Sequence, residues 1–201
     1  IKGQGNSKIY KLSLKNKSNF IIKHYPDLLV DKRNRLSVEF KAFKYLNQKS
    51  FKNVSKPIIK DLDLNIGVYE WSKGIKINKK NINDLKNVIK FISSLKKLSE
   101  NTNHSFFDNA SESCLEINDI INQIDFRLKN LIKIQNKYLN LKNFLKDFQS
   151  FWKLIKKQTI IDIKKLKLNK KLDRKFQILS PADLFFNNIL KYKKHYTYID
   201  F

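Results

Sequence analysis

Three polar side chains near residue 200 stand in an apolar, strand-prone setting. Asp183 and Asn188 sit in SPADLFFNN with an Asp-x-x-x-x-Asn spacing and two phenylalanines between them, and Asp200 closes the aromatic run YTYIDF. A hard divalent cation takes oxygen ligands, and a carboxylate beside an amide carbonyl suits Mg²⁺. A short hairpin would bring Asn188 and Asp200 to the end of one ribbon, leaving Asp183 to orient or deprotonate a hydroxyl. Taken singly, each of the three also reads as a loop residue, where Asp and Asn bond their own backbone.

Two further groups belong to the same chemistry. In Gly3-Gln4-Gly5-Asn6-Ser7 two glycines would let backbone amides approach phosphate oxygens, although most short Gly-x-Gly stretches are turns. Lys23 ends the apolar run NFIIK, and Glu39 follows Leu36 by three and precedes Phe43 by four, the apolar side of a helix. A carboxylate there is costly unless paired, and a lysine held by it would present a fixed positive charge. A solvated position at the rim of that face is the alternative. In this order, the Gly-x-Gly, strand lysine, helix glutamate, Asp183, Asn188 and Asp200 match the parts of a kinase.

The elements that must position these groups follow from periodicity. Tyr10, Leu12 and Leu14 alternate with polar residues as a half-buried strand, KNKSN is turn composition, and FIIK is a second strand. RLSVEFKAFKYLNQ has helical spacing, and short apolar runs at Pro57–Ile59 and Ile66–Trp71 follow. Beyond Gly74 come long amphipathic stretches. One face comprises Leu85, Val88, Ile89, Ile92 and Leu95; a second runs from Leu115 through Ile117, Ile120, Ile121, Ile124 and Leu128 to Leu131. A third carries Leu141, Phe144, Leu145, Phe148, Phe151, Trp152 and Ile155. FQIL at 176–179 and YTYID at 196–200 read as strands. The expectation is a β-rich lobe at 1–71, a linker at 72–78 and a helical lobe at 79–201.

Composition bounds the partners. Lys+Arg number 42 against 18 Asp+Glu, a net charge of +24. Such a charge raises nucleic acid as a partner. Yet arginine occurs only at Arg33, Arg35, Arg127 and Arg174, and lysine travels with abundant Asn and Ile, the mark of an AT-rich coding sequence. Base readout and phosphate forks favour arginine, so nucleic acid is not the expected partner. The single Cys114 fits a reducing, cytoplasmic setting, and His24, His104 and His195 lack zinc spacing. No apolar run approaches a membrane span. An acidic stretch holds Glu100, Asp108, Glu112, Glu116, Asp119 and Asp125 between Lys97 and Arg127. It reads as a helix start, with Ser113 and Glu116 as a capping box, or as a surface for a cationic acceptor.

On these residues the chain resembles the aminoglycoside phosphotransferase and choline kinase family, small-molecule kinases with a protein-kinase-like α+β fold of two lobes. The resemblance runs through Gly3–Ser7, Lys23 in NFIIK, Glu39 in RLSVEFKAF, Glu70-Trp71-Ser72 before Gly74, ASESCLEIND, and SPADLFFNN with YIDF. It implies a nucleotide loop at Gly3, Gly5, Asn6 and Ser7, a phosphate lysine at Lys23 paired with Glu39, and a hinge at Glu70, Trp71 and Ser72 whose backbone meets adenine. It further implies Asp183 as catalytic base and Asn188 and Asp200 as Mg²⁺ ligands. The cofactor would be ATP, or GTP as in some members, and the acceptor a hydroxyl on a small molecule such as a sugar, amino sugar or amino alcohol. Two departures stand out: Pro181 occupies the place of the family's histidine, and Lys8 stands where protein kinases have a third glycine. The family continues past its second aspartate, so the chain is expected to be a fragment cut at both ends. A kinase-like scaffold without catalysis and a basic nucleic-acid-binding helical protein are the competing readings.

Overall fold

A computed structural model of the chain describes residues 7–29, 31–77, 81–100, 106–110, 112–168, 170–181 and 183–201. It divides into two compact units, Ile1–Phe107 with Leu179–Phe201, and Asp108–Ile178. The fold is α+β, as expected: a small antiparallel-sheet part followed by helices.

In the first unit, β1 (Lys8–Ser13), β2 (Asn19–His24), β3 (Pro57–Asp61) and β4 (Ile66–Glu70) form an antiparallel sheet in the order β1-β2-β4-β3. The KNKSN turn is tight, with Lys17 at φ 65° and reciprocal backbone bonds between Leu14 and Ser18 and between Lys17 and Leu14. Tyr10, Leu12 and Leu14 lie on an exposed face rather than a half-buried one. Helix α1 (Arg35–Gln48) follows β2; the Asn34 side chain caps it by accepting from Ser37 N. It ends where Ser50 turns left-handed (φ 63°) and the Phe51 amide donates to the Leu46 carbonyl, a Schellman closure that tucks Phe51 against the core.

A second sheet, β5-β6-β7, is built from β5 (Ile75–Lys76), β6 (Ile189–Tyr192) and β7 (His195–Tyr198), all antiparallel. β5 falls inside the expected linker. Gly74, just before it, has φ 139°, and a Cβ there would stand 3.0 Å from the Lys191 carbonyl, so only glycine lets the chain come this close to β6. Helix α2 (Ile82–Glu100) opens with a reciprocal cap: the Asp84 amide donates to Asn81 Oδ1 and the Asn81 amide to Asp84 Oδ2.

A bridge joins the two sheets. Tyr198 N donates to Asn53 O and Ser55 N to Tyr198 O, so the segment leaving α1 is stitched to β7. The core between them holds Phe43, Leu46, Tyr69, Phe91, Leu95, Ile189 and Tyr198, with Phe91 stacked on Tyr198 at 3.7 Å between ring centroids.

Two expectations need correction here. On α2 the buried side is Asp84, Val88, Phe91, Leu95 and Ser99, while Leu85, Ile89 and Ile92 are 45%, 53% and 39% exposed. FQIL is not a strand: residues 174–176 make a 3-10 turn and the following ones run without regular structure. β7 ends at Tyr198, so Asp200 lies just beyond the ladder.

The second unit packs α3 (Ile117–Ile134) against α4 (Leu139–Lys165) through Ile121, Trp152 and Ile163, with Ile117, Ile124, Leu128 and Phe148 around them. Ile120, Phe144 and Phe151 from the expected faces are exposed. Four of the acidic residues here, Glu112, Glu116, Asp119 and Asp125, have internal partners. The capping box is Glu116 with Asp119, three residues along from the Ser113–Glu116 pair expected. Asp125 accepts from Trp152 Nε1 at 2.8 Å and from Lys156, and Glu112 pairs with Arg127 at 3.0 Å. That favours the helix-start reading over the acceptor surface. Among the described residues no helix is long and apolar enough to cross a membrane, and Cys114 is exposed and unpaired by disulfide.

Candidate functional site

The site begins with strand parity. Lys23 lies one residue from the end of β2, opposite Ile9 on one side and Gly67 on the other. Its side chain turns inward, where α1 presents Glu39 on the face it shares with Leu36, Phe43 and Leu46. Lys23 Nζ donates to Glu39 Oε2 at 2.7 Å and to Asp200 Oδ1 at 2.8 Å. One ammonium is thus held by carboxylates from two elements, one near in sequence and one 177 residues away.

Burial differs sharply across this trio. Glu39 is 4% exposed, whereas the Asp200 side chain is 41% exposed and opens to solvent. Desolvation is the largest influence on the Glu39 carboxyl; the Lys23 charge opposes it and the Asp200 charge adds to it, and the result is pushed up to about 8. On Lys23 the two carboxylates outweigh desolvation and raise its pKa from the ordinary value.

Asp200 owes its position to its neighbours. Phe201 packs its ring edge-on against Phe43 of α1 (5.7 Å) and Phe91 of α2 (6.4 Å). On the other side Ile199 N donates to the Asn188 carbonyl, continuing the β6–β7 ladder by one bond. Asn188 and Asp200 therefore stand at the same open end of the hairpin, as expected. The Asn188 amide donates from Nδ2 to the Asp183 carbonyl at 3.0 Å, which orients the side chain with Oδ1 as its acceptor atom. An amide oxygen and a partly exposed carboxylate, the latter already salt-bridged on one oxygen, form a donor set that fits Mg²⁺ sharing its shell with phosphates and water.

The remaining expected residues are placed as follows. Asp183 is exposed in a turn whose carbonyl accepts from both Phe185 N and Asn188 Nδ2, so the loop is fixed by its backbone. Pro181 beside it is buried. Glu70 ends β4, its amide donating to Lys56 O and its carboxylate pairing with Lys56 at 3.1 Å on the surface. Trp71 N donates to Asn19 O, and Lys11 Nζ lies 4.5 Å above the Trp71 ring. Two of the three expected hinge amides are thus engaged within the protein; Ser72 is partly buried. Ser7 is described just ahead of β1, while Gly3, Gly5 and Asn6 lie outside the described residues. The structure brings together Lys23, Glu39 and Asp200, sets Asn188 beside them, and does not bring Asp183 or the hinge into that cluster's contacts.

Sequence reading missed two groups. Tyr25 and Tyr69 flank the Lys23–Glu39 pair and share a hydrogen bond of 2.7 Å between their hydroxyls. Tyr25 was open to inference, since it is two residues from Lys23 and so on the same strand face. Asp84 is the other: fully buried, it accepts from Lys191 at 2.6 Å and Tyr196 at 2.7 Å.

No family model matches the chain, and no curated protein sequence matches it either. Solved structures do. Spectinomycin phosphotransferase APH(9)-Ia, in complex with ADP and spectinomycin, is similar over 100% of this chain at 14% identity and a TM-score of 0.49. Rio2 kinase from Chaetomium thermophilum, in an ADP/Mg²⁺–phosphoaspartate complex, is similar over 49% of this chain at 16% identity and a TM-score of 0.37. The chain spans 61% of the first structure's length and 35% of the second's.

Proposed function

We propose that the chain is the nucleotide-binding and catalytic part of an ATP-dependent phosphotransferase acting on a hydroxyl of a small molecule. The observation that carries this reading is the Lys23 ammonium held between Glu39 and Asp200, the arrangement in which protein kinases hold the phosphate lysine, its helix glutamate and the metal aspartate. A structural ion pair alone would not need a third, solvent-open carboxylate at the end of a hairpin.

In this reading residues 1–71 hold the nucleotide, 72–78 form the hinge and residues from 79 onward complete the acceptor side. Lys23, held rigid by Glu39, donates to the ATP phosphates. Asn188 Oδ1 and Asp200 would hold Mg²⁺, which when bound neutralises phosphate charge. Asp183 aligns the acceptor hydroxyl and takes its proton as the new bond to the γ-phosphorus forms, the bond from that phosphorus to the bridging oxygen breaks and ADP leaves. Because the transition state is loose, alignment and charge neutralisation supply most of the rate. Sugars, amino sugars and amino alcohols are the acceptor class to screen first.

The test is a thermal melt of the chain with saturating ATP, with and without Mg²⁺, beside Asp200→Ala. Nucleotide at about 100 times its Kd adds about 2.7 kcal/mol, a rise of roughly 5–10 °C at this size. A Mg²⁺-dependent rise that Asp200→Ala abolishes supports the reading. A folded chain with no rise in either condition refutes it. Transfer is then followed with labelled ATP, and Asp183→Asn should slow it roughly 10²–10⁴-fold while ATP still binds.

A further inference from the structure

The β6–β7 hairpin carries Asn188 and Asp200 at its open end, and its tip closes a second, shallow pocket that the chemistry above does not use. Along β6, Lys193 lies roughly 16 Å of extended chain from Asn188. The pocket has a volume of about 480 Å³ and is lined chiefly by Trp71, Lys73, Gly74, Lys191, Tyr192 and Lys193. That is the size of a small-molecule site.

Backbone geometry assembles it. Gly74, at φ 139°, lets the chain that follows Trp71 run close against the Lys191 carbonyl, which sets Lys73 beside the hairpin. On the hairpin itself Tyr192 pairs with His195 across a two-residue turn, and Lys193 stands in that turn at φ 54°. Such a position suits Asn, Asp or Gly, so a lysine there is held at some cost to the backbone. Lys191 is fixed as well: its Nζ donates to Asp84 Oδ1 at 2.6 Å while its side chain stays 31% exposed.

The lining is one-sided in charge. Three lysines line the pocket and no carboxylate does. Among the described residues Lys23, Lys56, Lys156 and Lys191 are ion-paired, whereas no ion pair engages Lys73 or Lys193. Lys11 Nζ lies over the Trp71 ring, and Lys193 Nζ lies 5.7 Å from the centroid of the Tyr192 ring. Trp71 is half-buried and Tyr192 is exposed, so both rings retain surface for a ligand. The abundance of lysine in this chain accounts for the number of ammonium groups. It does not account for unpaired ones converging with two aromatic rings on a pocket free of carboxylates.

The structure assigns this pocket to a small aromatic anion of the aryl phosphate class. The ring of the ligand lies against Trp71 and Tyr192, and its phosphate meets Lys73 and Lys193, with Lys191 as a fixed third donor. The assignment goes beyond the phosphotransferase reading and does not depend on it.

The experiment is titration calorimetry of the full chain with phenyl phosphate, inorganic phosphate and phenol as probes. Phenyl phosphate should bind at least about tenfold more tightly than either of the others, because only it engages both rings and lysines. Lys193→Gly should weaken phenyl phosphate about threefold, the scale of one exposed charge contact. The same change should leave Tm unchanged or raised, since glycine accepts the left-handed backbone freely. Adding Lys73→Ala should bring the loss to about tenfold. Lys146→Ala, which removes an exposed lysine of α4 outside the pocket, should leave the affinity within about 1.5-fold. Saturating ATP with Mg²⁺ should leave phenyl phosphate bound. If Lys193→Gly does not fold, Lys73→Ala carries the test alone. Phenyl phosphate no tighter than inorganic phosphate, indifferent pocket variants, an equal loss in Lys146→Ala, or displacement by ATP overturns the inference. A chain that binds phenyl phosphate but not ATP refutes the phosphotransferase reading and leaves the pocket standing; one that binds ATP but not phenyl phosphate refutes the pocket alone.

Discussion

Asp84→Ala offers a sharp test of how the hairpin that carries Asn188 and Asp200 is anchored. Asp84 is fully buried and receives three donors: Lys191 Nζ on β6, the Tyr196 hydroxyl on β7 and the Asn81 amide at the start of α2. Truncation leaves the buried Tyr196 hydroxyl without its acceptor, costing about 1–3 kcal/mol. It also opens the helix cap, costing about 1 kcal/mol. Together these come to about 3 kcal/mol, or a fall in Tm of roughly 6–12 °C for a chain of this length. Asp84→Asn keeps an acceptor but not the charge, and should lose about half as much. The pH dependence gives an independent check. The hydrogen bonds from Lys191 and then Tyr196 hold the Asp84 carboxyl below its ordinary value of 3.8, so its contribution is present above that value and is lost as pH falls through the depressed one. The gap between wild type and Asp84→Ala should be constant from about pH 5 to 9 and should narrow towards about pH 3. Scanning calorimetry across that range decides the matter. A fall in Tm under about 2 °C, or a gap that does not narrow in acid, would refute the account of Asp84 as a charged anchor.

Three further substitutions test the fold around the site. Gly74→Ala must place a Cβ 3.0 Å from the Lys191 carbonyl at φ 139°, and should cost about 1–3 kcal/mol in urea unfolding with an unchanged m-value. On α2, Val88→Ala should cost about 1–2 kcal/mol while Ile89→Ala stays within about 0.5 kcal/mol, because only Val88 faces the core; denaturant midpoints that rank them the other way would restore the aliphatic face.

That α2 comparison also shows where sequence legibility ended. Lys23 and Glu39 could be paired from the sequence because each sits on the inward phase of a strong local period, one of two residues and one of 3.6. The hairpin and its two polar residues were legible for the same reason: strand composition fixed their common end. On α2 periodicity misled, since Leu85, Ile89 and Ile92 make the richer aliphatic stripe. The face actually buried includes Asp84, whose carboxylate is paired with Lys191 and hydrogen-bonded by Tyr196, both more than 100 residues away. Burial of that kind is set by a tertiary partner, and no window along the helix contains it. The tyrosine contact was hidden similarly: Tyr25 and Tyr69 meet only because β2 pairs with β4 rather than with β3. FQIL has the β-branched and aromatic composition of a strand, but among the described residues no strand pairs with it.

The stitching of β7 to the segment leaving α1 has a consequence for the order of assembly. The first unit is closed by Leu179–Phe201, while Asp108–Ile178 fold as a separate unit in between. Phe91 cannot stack on Tyr198, nor Lys23 meet Asp200, until that intervening stretch has been synthesised and its ends brought together. Closure of a long loop is slow relative to local helix and hairpin formation, although its entropic cost grows only logarithmically with length. If the intervening unit folds first and holds its ends near each other, it shortens the effective loop. During synthesis α1 and α2 would wait with Phe43 and Phe91 uncovered, an aggregation-exposed interval that ends only when the last hairpin docks.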